Sequence, residues 1–256
     1  MRRVRLPGTE LELSAFGLGL ASMSRRLPAR RRLEVLEAAL DCGITHFDVA
    51  PLYGGGTAEA LLGRFLRGRR DSVTVATKAG LAAAGPLGRR ARRDFSPAGV
   101  ERSVERSLRA LRTEYVDLLL LHEPDAADLA PPLAEALARL VERGLVRETG
   151  IASSGRAAPA PPAGGVLQLG SSALEPVDAA GRALIVHSVL VSDLGRLAAR
   201  WEGDPAALPS LILHRALAVH PGSALLFATR DPARVRANTR EPSPELAERF
   251  ERLVRE

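Results

Sequence analysis

Eight short apolar segments recur along the chain, and most of them alternate with amphipathic segments of helical length. The apolar segments fall at residues 15–20, 44–48, 73–77, 117–121, 146–151, 166–169, 183–187 and 224–227. Each is short and apolar, as a buried parallel strand is. Alternating strands and helices imply a parallel sheet, and eight such units imply a sheet that closes on itself. The sequence therefore predicts an α/β fold, a (β/α)₈ TIM barrel, as one domain over residues 1–256.

The segments around these strands carry recognisable helix and turn signals. Residues 30–41 form an amphipathic helix, and another helix opens at Ser96 and Pro97, which suit its N-cap and first position. The leading residues 4–14 are predicted to form a hairpin across the bottom of the barrel. The tail, Pro244–Arg255, is predicted to be one extra helix.

One side of the barrel departs from the regular pattern. Residues 153–165 are dense in proline and glycine, which argues against a helix there. Residues 171–181 are barely long enough for a crossover connection, which needs about a dozen residues. Helices five and six are therefore expected to be reduced to loops or single turns. A second subunit could cover this thin side, so a homodimer is one expectation.

Charge and composition narrow the class of protein. The net charge is +6, but 30 acidic residues are interleaved with the arginines and aromatic residues are few, so nucleic-acid binding is not expected. No segment approaches the roughly 18–20 apolar residues of a membrane span. The N-terminus has no apolar signal-peptide core, and the single cysteine, Cys42, fits a reducing compartment. These features predict a cytoplasmic protein that does not bind membranes.

Four polar side chains follow three consecutive predicted strands. Asp48, Lys78 and His122 stand at the strand ends, and Tyr53 lies in the loop after Asp48. In parallel barrels the carboxyl ends of the strands meet at one rim, where catalytic residues lie. Lys78 is also the only lysine beside 35 arginines. Arginine is larger and presents a planar fork, so it could not easily replace a compact charge in an enclosed site.

The chemistry that such a set supports follows from the residue types. A buried lysine beside Asp48 forms an ion pair, and its charge is expected to lower the pKa of Tyr53 from about 10 towards working pH. Tyr53 would then act as a general acid and base. His122 can donate a hydrogen bond to a carbonyl oxygen. No nucleophile or metal set accompanies them, so the missing element is a hydride donor, and the set points to reversible carbonyl reduction with a cofactor.

The motifs around these residues resemble the aldo-keto reductases. The patterns "FDxAxxYG", "TKxG" and "YxDLxxLH" occur in this order, and the resemblance runs from about residue 3 to 240. It implies that Asp48, Tyr53, Lys78 and His122 form a catalytic tetrad, with Tyr53 as proton donor. It also implies NADPH, or alternatively NADH, lying across the top of the barrel. The wording "DxAPLYG" is similar to that of members that act on sugars or small aldehydes.

The same resemblance assigns residues to the adenine end of the cofactor. Arg234 stands where an arginine commonly meets the 2′-phosphate, with Thr229 nearby and Asn238 at the adenine. Asn238 is the only asparagine of the chain. Ala228 replaces a basic residue that many members carry, which weakens the expected preference for NADPH.

The nicotinamide end matches the family less completely. Gln168, the only glutamine, stands where the family binds the carboxamide. Ala152 and Ser153 replace a serine and an asparagine, and Ser153 is expected to serve. Ser188 stands at a pyrophosphate contact, and His187 where an aromatic residue often stacks on the ring. For His187, local hydrogen bonding at the strand end is the alternative.

Two functions remain open at this stage. The first is an NAD(P)H-dependent oxidoreductase acting on an aldehyde, a ketone or a sugar. The second is a barrel without hydride transfer, either a binding or partner subunit or an acid–base dehydratase or isomerase. For the arginine runs at 25–32 and 88–93, the alternatives are a solvated surface and anion binding. We hypothesise that Arg89, Arg90, Arg92 and Arg93 recognise an anionic substrate group. Trp201 is either part of a lid or a packing anchor.

Overall fold

A computed structural model describes residues 1–23, 27–84, 90–161 and 165–256 of the chain. Its centre is a closed barrel of eight parallel strands. In chain order they are β3 (Phe16–Gly19), β4 (His46–Asp48), β5 (Thr74–Ala79), β8 (Val116–His122), β9 (Val146–Ser153), β10 (Val166–Gly170), β11 (Leu184–His187) and β12 (Ala224–Phe227). Each coincides with a predicted segment to within about two residues, so the barrel prediction is confirmed.

The helices surround the barrel and shield its outer face. They are α1 (Ala29–Asp41), α2 (Ala58–Phe65), α3 (Pro97–Leu111), α4 (Pro131–Glu142), α5 (Val189–Ala198), α6 (Leu208–Val219), α7 (Pro232–Thr239) and the extra C-terminal α8 (Pro244–Arg255). The Ser96 side chain caps α3 by accepting from the Gly99 N–H at 3.1 Å, as its position in the sequence predicts. In the described part of the chain, no helix combines the length and apolarity that crossing a membrane requires.

A two-stranded hairpin closes the bottom of the barrel. Its strands are β1 (Arg3–Arg5) and β2 (Glu12–Ser14), which pair antiparallel. The apolar side chains of this hairpin join the inward-facing side chains of the barrel strands in one buried cluster, which includes Leu6, Leu11, Leu13, Leu118, Leu120 and Ile185. The barrel is thus filled from below, which leaves the carboxyl ends of the strands as its open end.

The thin side lies around β9, β10 and β11. The described residues of the segments 154–165 and 171–183 contain no helix, so the prediction of reduced helices five and six is confirmed. Polar contacts hold the second segment instead. The buried Asp193 carboxylate accepts from the Ser172 hydroxyl at 2.7 Å and from the Ala173 N–H at 2.6 Å. Whether a second subunit covers this side stays a prediction.

The connection after β5 contains a hairpin whose strands are not among the eight predicted segments. Its strands are β6 (Leu81–Ala84) and β7 (Arg90–Arg93), which pair only with each other. The short strands are rich in alanine and arginine and lack the β-branched residues that signal a strand. Pairing across the hairpin, which is not visible in either segment alone, therefore defines them.

Trp201 is a packing anchor and not part of a lid. Its ring is 9% exposed and packs edge-to-face on Phe250 of α8, with the ring centroids 6.1 Å apart. The indole N–H donates to the Asp204 carbonyl at 3.0 Å. Trp201 therefore fastens the C-terminal helix to the loop that follows α5.

Two glycines in helix interiors provide a matched test of the packing between helices. A Cβ on Gly63 of α2 would lie 2.5 Å from the Ala110 carbonyl oxygen of α3, whereas a Cβ on Gly195 of α5 would have nothing within 4 Å. We expect Gly63→Ala to lower the free energy of unfolding by about 1–3 kcal/mol, because the helices must separate. Gly195→Ala should raise it by about 0.4–1 kcal/mol, because alanine restricts the unfolded chain.

Urea denaturation of both variants measures these two effects. Equal effects of the two substitutions would show that the close approach of α2 and α3 at Gly63 does not limit stability.

Candidate active site

The four predicted catalytic side chains lie together at the open end of the barrel. The Lys78 Nζ atom donates to both carboxylate oxygens of Asp48, at 2.6 and 2.7 Å, and to the Val49 carbonyl at 3.2 Å. The same Nζ atom lies 4.9 Å from the centroid of the Tyr53 ring. Tyr53 and His122 meet edge-to-face, with ring centroids 6.0 Å apart and an interplanar angle of 90°.

A glycine turn carries Tyr53 to this position. Tyr53 opens a single 3₁₀ turn after β4, and Gly54, Gly55 and Gly56 all have positive φ angles, which glycine adopts without strain. A Cβ on Gly54 would lie 2.7 Å from the Met23 carbonyl oxygen. The turn is therefore packed closely beneath the rim, and the "YGGG" sequence is what permits it.

Burial and charge set the protonation states of Lys78 and Tyr53. Burial lowers the pKa of Lys78, but Asp48 and Tyr53 together outweigh it, so the pKa is raised and the ammonium stays charged. Burial raises the pKa of Tyr53 above its usual value of 10, and the opposing effect of Lys78 is smaller. The predicted lowering of the Tyr53 pKa is therefore wrong in its net direction: Lys78 acts as expected, but desolvation of the phenol is larger. Tyr53 holds its proton at neutral pH.

His122 is neutral in this site. Burial, followed by the charge of Lys78, lowers the pKa of His122 to about 4. Its Nδ1 atom is buried and has no hydrogen-bond partner among the described residues. A neutral imidazole can give one hydrogen bond to a ligand without adding a second positive charge beside Lys78.

A second buried histidine, His46, lies two residues before Asp48 on β4, on the same face of the strand. Its Nδ1 atom lies 3.0 Å from the Thr74 hydroxyl, and burial lowers its pKa to about 4. Since an unfolded histidine has a pKa near 6.5, the unfolded chain binds more protons below that pH. The contribution of His46 to stability is therefore complete above pH 6.5 and is lost progressively as the pH falls to about 4.

We therefore expect the free energy of unfolding to depend less steeply on pH in His46→Asn than in the wild type. Between pH 7 and pH 4.5 the difference should be on the order of 2 kcal/mol. The asparagine amide can still reach the Thr74 hydroxyl, and the carboxylates titrate in both proteins. Urea denaturation at the two pH values measures the slopes, and parallel slopes would refute the assignment.

A cavity of about 250 Å³ opens beside Asp48 and Tyr53. Its other walls come from β3, β11, the start of α5 and β12, and they include Gly19, Ala21, His187, Ser188, Val189, Leu190, Val191 and Ala228. The first turn of α5 thus faces the cavity. The free N–H groups and the positive dipole end of a helix N-terminus favour an anionic group.

The predicted nicotinamide-binding residues lie at the ends of β9, β10 and β11. Gln168 is 4% exposed, and its Oε1 atom has no hydrogen-bond partner among the described residues. The Ser153 carbonyl accepts from His187 Nε2 at 2.9 Å, which leaves His187 Nδ1 to accept from the Ser188 hydroxyl at 2.8 Å. His187 therefore makes the local hydrogen bonds of the alternative interpretation while its ring lines the cavity, and stacking stays a prediction.

The predicted adenine-end residues follow β12, the strand that neighbours β3. Thr229 Oγ1 accepts from the Asp231 N–H at 3.2 Å, and the Thr229 carbonyl accepts from the Ser22 hydroxyl at 3.2 Å. On α7, the Arg234 side chain is exposed and Asn238 is 7% exposed. These residues continue from the cavity wall at Ala228, but their role in binding a cofactor stays a prediction.

Comparison with known proteins identifies the family. The sequence profile of the Aldo/keto reductase family matches residues 15–158, which carry all four tetrad residues. The chain belongs to the aldo/keto reductase family. Its barrel superposes on "aldo-keto reductase AKR11C1 from Bacillus halodurans (holo form)" with a TM-score of 0.79 and 23% identity, covering 99% of this chain and 96% of that one. A putative aldo-keto reductase from Pseudomonas aeruginosa gives a TM-score of 0.76 and 26% identity, with 93% and 92% covered.

Proteins with similar sequences include two whose names refer to sugars. One is 6-dehydroglucose reductase from Agrobacterium fabrum (strain C58), with 38% identity over 60% of this chain and 54% of its own length. The other is D-threo-aldose 1-dehydrogenase from a Pseudomonas species, with 36% identity over 56% of this chain and 51% of its own length. The chain thus spans about half the length of the curated relatives that it matches.

The arginines proposed for anion recognition are only partly described. Arg89 and the side chain of Arg90 lie outside the described residues. Arg92 is exposed and lies 3.7 Å from Asp94. Arg93 already donates to Asp125, Asp128 and a backbone carbonyl. The structure therefore gives no support to Arg93 as a ligand for a substrate anion. In the run at 25–32, residues 25 and 26 also lie outside the described part.

Sequence reasoning missed two carboxylates near the tetrad. Glu59 of α2 is 5% exposed and accepts from the Thr77 hydroxyl at 2.7 Å, next to Lys78, and burial raises its pKa. Glu123 directly follows His122 and has a φ angle of +54°. Glutamate at a helix surface or after a strand is a common residue, so neither position carries a signal in the sequence.

Proposed function

We propose that this aldo/keto reductase is an NADPH-dependent carbonyl reductase and alcohol dehydrogenase, with NADH as the alternative cofactor. The supporting observation is the buried Lys78–Asp48 pair beside a protonated Tyr53 and a neutral His122, with Asp48 and Tyr53 in the wall of a cavity. A site that no longer catalysed hydride transfer would have no evident need for a buried ion pair, because removing two charges from water costs free energy. The pair therefore favours hydride-transfer chemistry over the non-redox alternatives.

The residues around the cavity fit a nicotinamide dinucleotide. The unpartnered Gln168 amide oxygen suits the carboxamide, and Ser153, which follows the strand partner of Gln168 on β9, is the second proposed contact. Ser188 and the first turn of α5 suit the pyrophosphate, because helix N-termini attract phosphate groups. The exposed Arg234 on α7 suits a 2′-phosphate, since guanidinium groups bind phosphate oxygens in a bidentate manner. Thr229 and Asn238 complete the proposed adenine end.

The tetrad residues perform the proton chemistry of this proposal. When bound, the reduced cofactor supplies a hydride to the carbonyl carbon. The Tyr53 hydroxyl donates its proton to the carbonyl oxygen, and the neutral His122 ring fixes the direction of that oxygen by a hydrogen bond. The charge of Lys78 stabilises the tyrosinate that forms, and Asp48 holds Lys78 in place. In the reverse direction, Tyr53 accepts the alcohol proton.

The proposed substrate is a small aldehyde, ketone or sugar. Two relatives carry names that refer to sugars, which favours a polyhydroxylated carbonyl compound. Neither a nucleic acid nor a membrane surface is part of the proposal, because acidic side chains are interleaved with the arginines that carry the net charge.

Fluorescence titration of the purified protein with NADPH and NADH tests the cofactor assignment. We expect NADPH to bind, and Arg234→Ala to raise its Kd about tenfold, because a charge-assisted hydrogen bond contributes about 1.5–3 kcal/mol. The Kd of NADH should stay within about twofold, since it has no 2′-phosphate for Arg234 to meet.

Arg236→Ala is the matched control for this titration. Arg236 is an arginine of the same helix but faces Asp41 at 3.6 Å, so its removal should leave both constants unchanged. If the folded wild-type protein binds neither cofactor, the proposed function is wrong.

A further inference from the structure

Glu123 has an unusual backbone conformation next to a tetrad residue. It follows His122 directly, and its φ angle of +54° lies in the left-handed region, where residues other than glycine are uncommon. Such a conformation persists when the surrounding contacts determine it. The contacts of its N–H, carbonyl and carboxylate groups therefore determine this conformation.

All three polar groups of Glu123 have partners on other elements. Its N–H donates to the Ala152 carbonyl of β9 at 2.8 Å. Its carboxylate accepts from the Ser154 N–H at 2.6 Å. Its carbonyl accepts from Arg93 Nη1 of β7 at 3.0 Å. The two contacts with β9 and its end flank Ser153, so Glu123 joins the strand end that carries His122 to the one that carries Ser153.

Arg93 is itself fixed in one place. Its Nη2 atom donates to Asp125 at 2.7 Å and also to Asp128, and its guanidinium lies 4.6 Å from the centroid of the Phe95 ring. Asp125 and Asp128 cap each other's backbone in the turn after β8. The β6–β7 hairpin is thereby fastened to the turn that follows His122.

The same hairpin also lies close to the loop that carries Tyr53. Ala83 of β6 would lie 3.7 Å from a Cβ placed on Gly56. The hairpin thus contacts the turn that follows His122 and lies near the loop of Tyr53. In contrast, Arg109 of α3 is exposed and lies 4.0 Å from Glu105 of its own helix.

We infer that Glu123 is a positioning residue, which holds the end of β8 and thereby His122 against the end of β9, and that Arg93 holds Glu123 in place. The expected effect of Glu123 and Arg93 on kcat rests on the proposed function. The charge of Glu123 also contributes to raising the pKa of Tyr53, which agrees with its place at the rim.

Three substitutions of Glu123 separate the carboxylate from the backbone. Glu123→Gln keeps an oxygen that can accept from the Ser154 N–H, and its kcat for an aldehyde should stay within about threefold of the wild type. Glu123→Ala removes that acceptor and should lower kcat about 10- to 100-fold, because small misplacements of catalytic groups are costly. Glu123→Gly removes the strain of the positive φ angle but also lacks the carboxylate. Its kcat should therefore fall as far as that of Glu123→Ala. A glycine variant as active as the wild type would overturn the inference.

Arg93→Ala tests the second half of the inference. We expect a similar loss of kcat, and the double variant with Glu123→Ala should fall no more than about twofold below the lower single variant, because both act through the same contacts. Arg109→Ala is the control and should leave kcat unchanged, because Arg109 lies on α3 and its guanidinium is 4.0 Å from Glu105 of the same helix. Losses that multiply in the double variant would show that the two residues act separately.

NMR spectra of the ¹⁵N-labelled imidazole of His122 give a readout that needs neither cofactor nor turnover. We expect one sharp resonance in the wild type, Glu123→Gln and Arg109→Ala, and a broadened or doubled resonance in Glu123→Ala and Arg93→Ala. An unchanged His122 resonance in Glu123→Ala would overturn the inference. If the wild type itself shows no turnover, the proposed function fails while these spectra still decide the position of His122.

Discussion

Lys78→Met should lower the free energy of unfolding by about 3–5 kcal/mol and should reduce carbonyl turnover at least about 100-fold. The stability loss follows because the Asp48 carboxylate, 3% exposed, would remain buried without its cation. The turnover loss follows because no charge would stabilise the Tyr53 phenolate. Urea denaturation and steady-state kinetics measure the two effects.

A double-substitution cycle makes this expectation specific. Asp48→Asn combined with Lys78→Met removes both charges, so the double variant should be more stable than the sum of the two single effects by more than about 1 kcal/mol. Arg139→Met, which removes one member of the exposed pair with Glu101, should change stability by less than about 1 kcal/mol. Additive effects in the cycle would contradict a coupled buried pair.

Tyr53→Phe should lower kcat about 10²- to 10⁴-fold, because it removes the proposed proton donor and keeps the ring. The ring still packs on His122, so the Kd of NADPH and the free energy of unfolding should stay close to those of the wild type. Since burial raises the pKa of Tyr53 above 10, the wild-type rate of reduction should show no loss from Tyr53 deprotonation between pH 7 and about 9. Stopped-flow and steady-state assays across this range measure both expectations.

Tyr115→Phe is the natural control, since Tyr115 is the only other tyrosine of the chain. The Tyr115 hydroxyl lies 3.4 Å from the Asp71 carboxylate. Tyr115 directly precedes β8, whereas His122 is the last residue of that strand, so the two lie at opposite ends. The kcat of Tyr115→Phe should equal that of the wild type. If Tyr53→Phe keeps wild-type turnover, another group donates the proton and the mechanism must be abandoned.

The barrel could be predicted because each of its strands carries its own signal. A run such as "DLLLLH" is apolar on both faces, as is typical of a parallel strand covered on both sides, and eight such units predict a closed sheet. The thin side was predictable for the converse reason, since the prolines before β10 exclude a regular helix. The β6–β7 hairpin was not predictable, because its pairing depends on contacts that neither "LAAA" nor "RARR" encodes by itself.

The tetrad could be predicted because strand ends meet at one rim in any parallel barrel, and the lone lysine marked its place there. The direction in which the pKa of Tyr53 shifts could not be predicted from the sequence. The net shift of the Tyr53 pKa is a difference between burial and the charge of Lys78, and burial is a property of the assembled loops. The role inferred for Glu123 depends in the same way on a backbone angle and on partners from β7 and β9.

The β1–β2 hairpin closes the bottom of the barrel, so no ligand can enter the interior from that end. Leu6, Leu11 and Leu13 occupy the space through which a second passage would have to run. Every molecule that reaches Tyr53 must therefore arrive and depart through the opposite end of the barrel. In the proposed reaction, cofactor and substrate use that same end. The closed bottom thus confines ligand exchange, as well as the chemistry at Tyr53, to one end of the barrel.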